Sequence, residues 1–144
     1  MNWKRVSAIG LGLCTSVVLV GVGFAADSER TMTMKSIGGA LRPLVTMSKS
    51  GNFDQAEASK DGKAIADALD HFKDLFPAGS EKEDDKALPT IWSDPQGFEQ
   101  HRMDAKNAAL AIAASTDING LQTALKSLGA ACGACHEKYR AKLQ

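Results

Sequence analysis

The sequence predicts an all-α fold, an antiparallel four-helix bundle. Three observations carry that prediction. Four stretches repeat apolar residues at steps of three and four, capping residues with proline or glycine punctuate them, and no stretch alternates apolar and polar residues as a half-buried strand would. A chain of 144 residues that is 44% apolar suits one small soluble domain.

The first residues stand apart from that fold. A basic head, "MNWKR", precedes the apolar run "VSAIGLGLCTSVVLVGVG" and the small residues of "GFAAD". This is the layout of a secretory signal peptide. Cleavage after Ala25 puts Gly23 and Ala25 at the small-residue positions, whereas cleavage after Ala26 would put bulky Phe24 there. The expected organisation is therefore a cleaved leader over 1–25 and a helical domain over 26–144, exported to the periplasm. An uncleaved anchor is the alternative, since the run is long enough to span a bilayer. Cys14 sits inside the run after Leu13, which argues against lipidation. Loss of the leader removes Lys4 and Arg5 and leaves 15 basic against 17 acidic residues, a formal −2. No basic excess points to nucleic acid, and no span remains for a membrane.

The first helix is expected over about residues 28–49, with Met34, Ile37, Leu41, Leu44 and Ser48 on one stripe. By phase Met32 lies about 200° and Met47 about 220° from Met34, so neither is expected to face the same core. The second helix is expected over about 53–76, with Ile65, Leu69, Phe72 and Phe76 aligned and Pro77 and Gly79 ending it. The third starts at "SDPQGFEQ", where Asp94 can cap and Pro95 suits the first helical position, and it buries Phe98, Ala105, Ala109 and Ile112. The fourth starts near Asp117 or Asn119 and runs to the C-terminus. Short links after the first and third helices favour antiparallel neighbours. The longer link between the second and third carries "EKEDDK", read as a solvated loop. Many core-facing positions are alanine, which leaves room for something large.

That observation gains a meaning from "GAACGACHEKYRAK". The inward stripe of the fourth helix reads Leu121, Ala124 or Leu125, Leu128, Cys132, Cys135 or His136, Tyr139 and Leu143. Cys132, Cys135 and His136 project to one side of a helix. Two thiols about one turn apart can each add to a vinyl group of one haem, with the adjacent imidazole beneath the iron, which is why C-x-x-C-H marks c-type haem attachment. A thioredoxin-like pair expects the motif at the start of a helix that follows a strand. A zinc site wants four ligands and would have to recruit His71 or His101. Neither suits a C-terminal helix in an all-helical chain. No serine–histidine–acid set or paired carboxylates suggests a hydrolase, so no catalytic residue is assigned and no enzyme is expected.

These residues also carry a family resemblance. The C-terminal motif, followed by Tyr139 and Arg140, resembles the haem-binding helix of class II cytochromes c, the family of cytochrome c′. "IWSD" before the third helix, and Arg30 four residues ahead of Met34, are similar to that family as well. The resemblance covers essentially the whole mature chain and is closest to the low-spin, methionine-ligated cytochrome c-556 subgroup. It implies a four-helix bundle with one covalent haem c on Cys132 and Cys135, and His136 as proximal iron ligand. It implies Met34 as distal ligand, in agreement with helix phase, and single-electron transfer with redox partner proteins. An open distal site and a His101 ligand are the alternatives. An open site would make the protein a five-coordinate binder of nitric oxide or carbon monoxide. By resemblance Arg30 and Trp92 approach the haem carboxylates and Arg140 the proximal face. Tyr139 is expected to pack around the haem, and Gly129 and Gly133 to admit the macrocycle closely. Cytochromes c′ are often dimers, which makes a homodimer an assembly to test.

Overall fold

The computed structural model describes residues 28–82 and 86–142. Five helices are seen there: α1 (Glu29–Ser50), α2 (Gln55–Phe72), a one-turn α3 (Thr90–Ser93), α4 (Pro95–Ala113) and α5 (Ile118–Tyr139). The four long ones form the expected bundle. The leader and Leu143 lie outside the described residues.

Side-chain caps set the four long helices. Ser28, Asp54, Asp94 and Asp117 each accept a hydrogen bond from a backbone N–H of the first turn. Pro95 opens α4, where its missing N–H has no partner to lose. Gly51 closes α1 with φ +75°, a left-handed conformation that glycine adopts without strain.

Two helices end earlier than their apolar patterns suggest. The second stops at Phe72, tightens into a 3-10 turn over Lys73–Leu75, and leaves the helical region at Phe76. Pro77 explains this, because a proline ring disfavours helical geometry at the preceding residue. The last helix stops at Tyr139 instead of reaching the C-terminus. Arg140 is extended and bridges Ala87, Leu88 N–H donates to Tyr139 O, and Ala141 N–H donates to Lys86 O. Backbone partners from the long link replace the next helical turn.

The main core lies where all four long helices meet, around Leu44, Ile65, Ala109, Ile112 and Leu121, none of which has exposed surface. Phe98, Ala105, Ala109 and Ile112 are buried as expected. Met47 is buried in this core as well, contrary to its phase from Met34. The buried set of α1 is Arg30, Thr33, Ile37, Leu44 and Met47. Its spacing averages about 3.4 residues per turn, so the buried stripe winds around the helix and reaches Met47 by its far end. α2 and α4 approach closely at Gly62, where a Cβ would sit 2.6 Å from Ala113 N and 2.8 Å from Ala109 O. α4 lies against both α2 and α5, and α1 lies mainly on α2. The contact between α1 and α5 is the lightest of the bundle's four helix pairings. A second cluster, Phe72, Ile91, Phe98 and Tyr139, closes the other end of the bundle.

Candidate functional site

Where α1 and α5 part, a cavity of about 390 Å³ opens. α1 contributes Met34, α5 contributes Cys135, His136 and Tyr139, and Phe72, Phe76, Ile91 and Phe98 form apolar walls. Met34 touches both core clusters and so stands at their junction. Cys132 is half-buried one turn before Cys135 and packs on the main core, and Cys135 packs on the aromatic one. The cavity therefore joins a thioether, an imidazole and a thiol from the two ends of the sequence, with the second thiol adjacent.

The electrostatics bear on what the cavity can hold. Burial pushes the Cys132 thiol up, and burial together with its neighbour Cys132 pushes Cys135 up to about 11. A redox-active cysteine pair needs the opposite shift, toward thiolate. Burial, and then the cation of Arg140, push His136 below its ordinary value. A neutral imidazole keeps a lone pair for a metal.

Tyr139 fixes the end of this helix. Its hydroxyl donates to Asp94 Oδ2 at 2.8 Å, Lys138 Nζ donates to the same oxygen at 2.6 Å, and Thr90 Oγ1 donates to Lys138 O at 2.9 Å. Lys138, then Tyr139, then the Gly97 N–H hold the Asp94 carboxyl down at about 2. Asp94 thus caps α4 and anchors the last turn of α5 three residues after His136.

Of the other residues singled out, Arg140 lines the cavity beside His136 from just beyond the helix end. Arg30 lines it too, but its guanidinium grips Leu75 and Ser80. Trp92 is not among the lining residues; it stands behind Phe76 and donates to Pro77 O at 3.1 Å. Gly129 and Gly133 are exposed, and a Cβ at either meets nothing within 4 Å. His71 is exposed and pairs with Glu29 at 2.9 Å. His101 meets Tyr139 edge-to-face, ring centres 5.7 Å apart, and does not line the cavity. Among the described residues no three histidine, cysteine or carboxylate side chains converge to hold a metal ion.

Three features escaped the sequence reading. Ser80 is 2% exposed within a loop of exposed neighbours. Phe76, read from the sequence only as part of the second helix's stripe, is the aromatic hub beside the cavity, 4.9 Å from Phe72 and 5.0 Å from Phe98. Arg102, 4% exposed, donates to both oxygens of Glu99, to Asp70 and to Leu69 O. The signal for Arg102 was an arginine on the apolar stripe of Phe98, Ala105 and Ala109 with a glutamate three residues before it. Nothing in the sequence marked Ser80.

Comparison with known proteins decides the family. The sequence family described as Cytochrome C' matches residues 26–140. The chain belongs to the cytochrome c′ family. Cytochrome c-556 of Agrobacterium fabrum is 35% identical over 99% of this chain and 98% of its own length. A cytochrome c-554 of Cereibacter sphaeroides is 39% identical over 67% of this chain and 82% of its own. Among solved structures, cytochrome c′ from Rhodopseudomonas palustris superposes with a TM-score of 0.72, at 34% identity over 80% of this chain and 94% of that one. The chain is thus a haem protein of the electron-transfer type with one covalently bound haem c. The cavity suits that group: aromatic and aliphatic walls, Cys135 with Cys132 one turn before it on the same helix, and the imidazole of His136 and thioether of Met34 as donors.

Proposed function

We propose that the protein is a periplasmic single-electron carrier whose low-spin iron is held by His136 and Met34. The observation that carries this reading is the presence of Met34 and His136, from the first and last helices, on the walls of one apolar cavity with Cys135. Haem c, when bound, supplies a one-electron ferric–ferrous couple. Cys132 and Cys135 would hold it by thioether bonds. His136 offers the proximal nitrogen and Met34 a sulfur that favours the ferrous state and fills the distal position. Phe72, Phe76, Ile91 and Phe98 exclude water, and the anchoring of Tyr139 to Asp94 keeps His136 from shifting. Arg140 tunes the imidazole by its charge.

Residues 1–25 serve as a cleaved export leader, and the family match beginning at residue 26 supports that boundary. Among the described residues no helix is long and apolar enough to cross a membrane. Electrons pass to and from redox partner proteins, and sedimentation tests for the homodimer implied by the resemblance.

Absorption spectra of the ferric and ferrous protein, with and without carbon monoxide, test the ligation. Low-spin spectra indifferent to carbon monoxide are expected, and Met34→Ala should convert the iron to a high-spin or water-bound state. A wild-type spectrum that is high-spin and shifts with carbon monoxide would replace this reading with a five-coordinate gas-binding protein.

A further inference from the structure

Arg30 occupies an unusual position. It lies in the first turn of α1 and is 5% exposed, although the amide ends of a helix N-terminus disfavour a cation there. The side chain must therefore be held by something other than its helix. Nε donates to Leu75 O at 2.8 Å, Nη1 and Nη2 each reach Ser80 O at 3.2 Å, and Nη2 donates to Ser80 Oγ at 2.6 Å. The guanidinium lies 4.4 Å from the Phe76 ring centre and 5.4 Å from that of Trp92.

All these acceptors belong to one turn, residues 75–80, whose two ends Arg30 spans. The same turn is closed from within by Ser80 N–H and Ser80 Oγ on Pro77 O, at 3.2 and 2.7 Å, and from outside by Trp92 Nε1 on that carbonyl. What the turn carries is Phe76, a wall of the cavity. Met34, one helical turn after Arg30, lines the same cavity. On the other side of Arg30 lies a smaller cavity of about 210 Å³, with Ser28, Glu29, Asp74 and Pro77 on its wall. Arg30 lines both spaces, whereas Phe76 lines only the larger one.

We propose that Arg30 is a positioning residue: by clasping the 75–80 turn it holds Phe76 against the cavity that Met34 also lines, and so limits displacement of Met34 by small neutral ligands. This rests on Met34 being the distal ligand. A planar fork with several donors can bridge acceptors at both ends of a turn, and a lysine ammonium, a single point charge, cannot.

The test compares Arg30→Lys, which keeps the charge, Arg30→Met, which removes it, and Ser80→Ala, which leaves Arg30 but deletes one acceptor. Amide hydrogen exchange over residues 76–82 reads the clasp without reference to the iron, and carbon monoxide binding to the ferrous holoprotein reads access. The expected result is faster exchange in all three variants and carbon monoxide binding tightened by about tenfold in Arg30→Lys and Arg30→Met, the effect of losing a charge-assisted hydrogen bond. Ser80→Ala should move both readouts in the same direction by less. Wild-type behaviour of Arg30→Lys and Ser80→Ala, with only Arg30→Met shifting the reduction potential, would overturn the proposal and return Arg30 to the role of a charge partner. Faster exchange without any change in carbon monoxide binding would also overturn it, leaving the clasp without a gating role. A high-spin wild-type iron would instead remove the Met34 assignment, and the exchange data would still report on the clasp.

Discussion

The two ends of the bundle are built from the same four long helices and packed by different rules. At one end Leu44, Ile65, Ile112 and Leu121 have no exposed surface, and Gly62 lets α2 and α4 touch backbone to backbone. At the other, α1 and α5 separate, the aromatic residues line a wall, and Met34, Cys135 and His136 are only half-buried. The closed end supplies stability so that the open end can hold donor side chains around a space. Interiors normally pack to crystal-like density, so a cavity of this size bordered by Cys135, His136 and Met34 suits a large bound group.

Truncation should separate the ends most sharply. Leu121→Ala removes a fully buried side chain and is expected to destabilise by about 3 kcal/mol in urea denaturation. Should Leu121→Ala prove as mild as a surface change, the closed end is not the source of stability. Next in size is Gly62→Ala, whose Cβ would collide with α4 backbone that cannot yield easily; a loss of about 1–3 kcal/mol is expected. Gly39→Ala on exposed α1, where a Cβ meets nothing within 4 Å, should instead gain about 0.5–1 kcal/mol. Equal effects at the two glycines would break the contrast.

The smallest effect concerns acid. Asp94 titrates at about 2 in the fold against an ordinary 3.8, held down first by Lys138. A lowered native pKa means the unfolded chain binds the proton more readily, so this group stabilises above about pH 4 and loses that contribution as pH falls from there toward about 2. Thermal melts between pH 5 and 2 should show a shallower acid decline for Asp94→Asn than for the wild type. Parallel curves would mean the Asp94–Tyr139–Lys138 node does not anchor α5 in solution.

Much of this was legible in the residues. Caps at Asp94 and Asp117, the stripes through Ile65 and through Ile112, and the attachment motif are local patterns that need only helix geometry to read. Met47 was misjudged because a straight 3.6-residue period was projected along a stripe that winds. The end of α2 was set one turn too late because Phe76 continued the apolar pattern, while the constraint from Pro77 acts on backbone. Arg30 finds hydrogen-bond acceptors 45 and 50 residues away in the chain. Arg102 finds Leu69 and Asp70 across a separation of 33 and 32 residues. No periodicity encodes such pairings.

The order of residues alone settles the helices, their caps and a thiol pair followed by an imidazole, because each depends on neighbours within a turn or two. Tertiary packing decides that α1 and α5 diverge enough to leave a cavity, that Met34 faces it together with His136, and that Arg30 closes the turn bearing Phe76. Those outcomes depend on how four helices share one core, and the energy of that sharing is a property of side chains that meet only after the chain has folded.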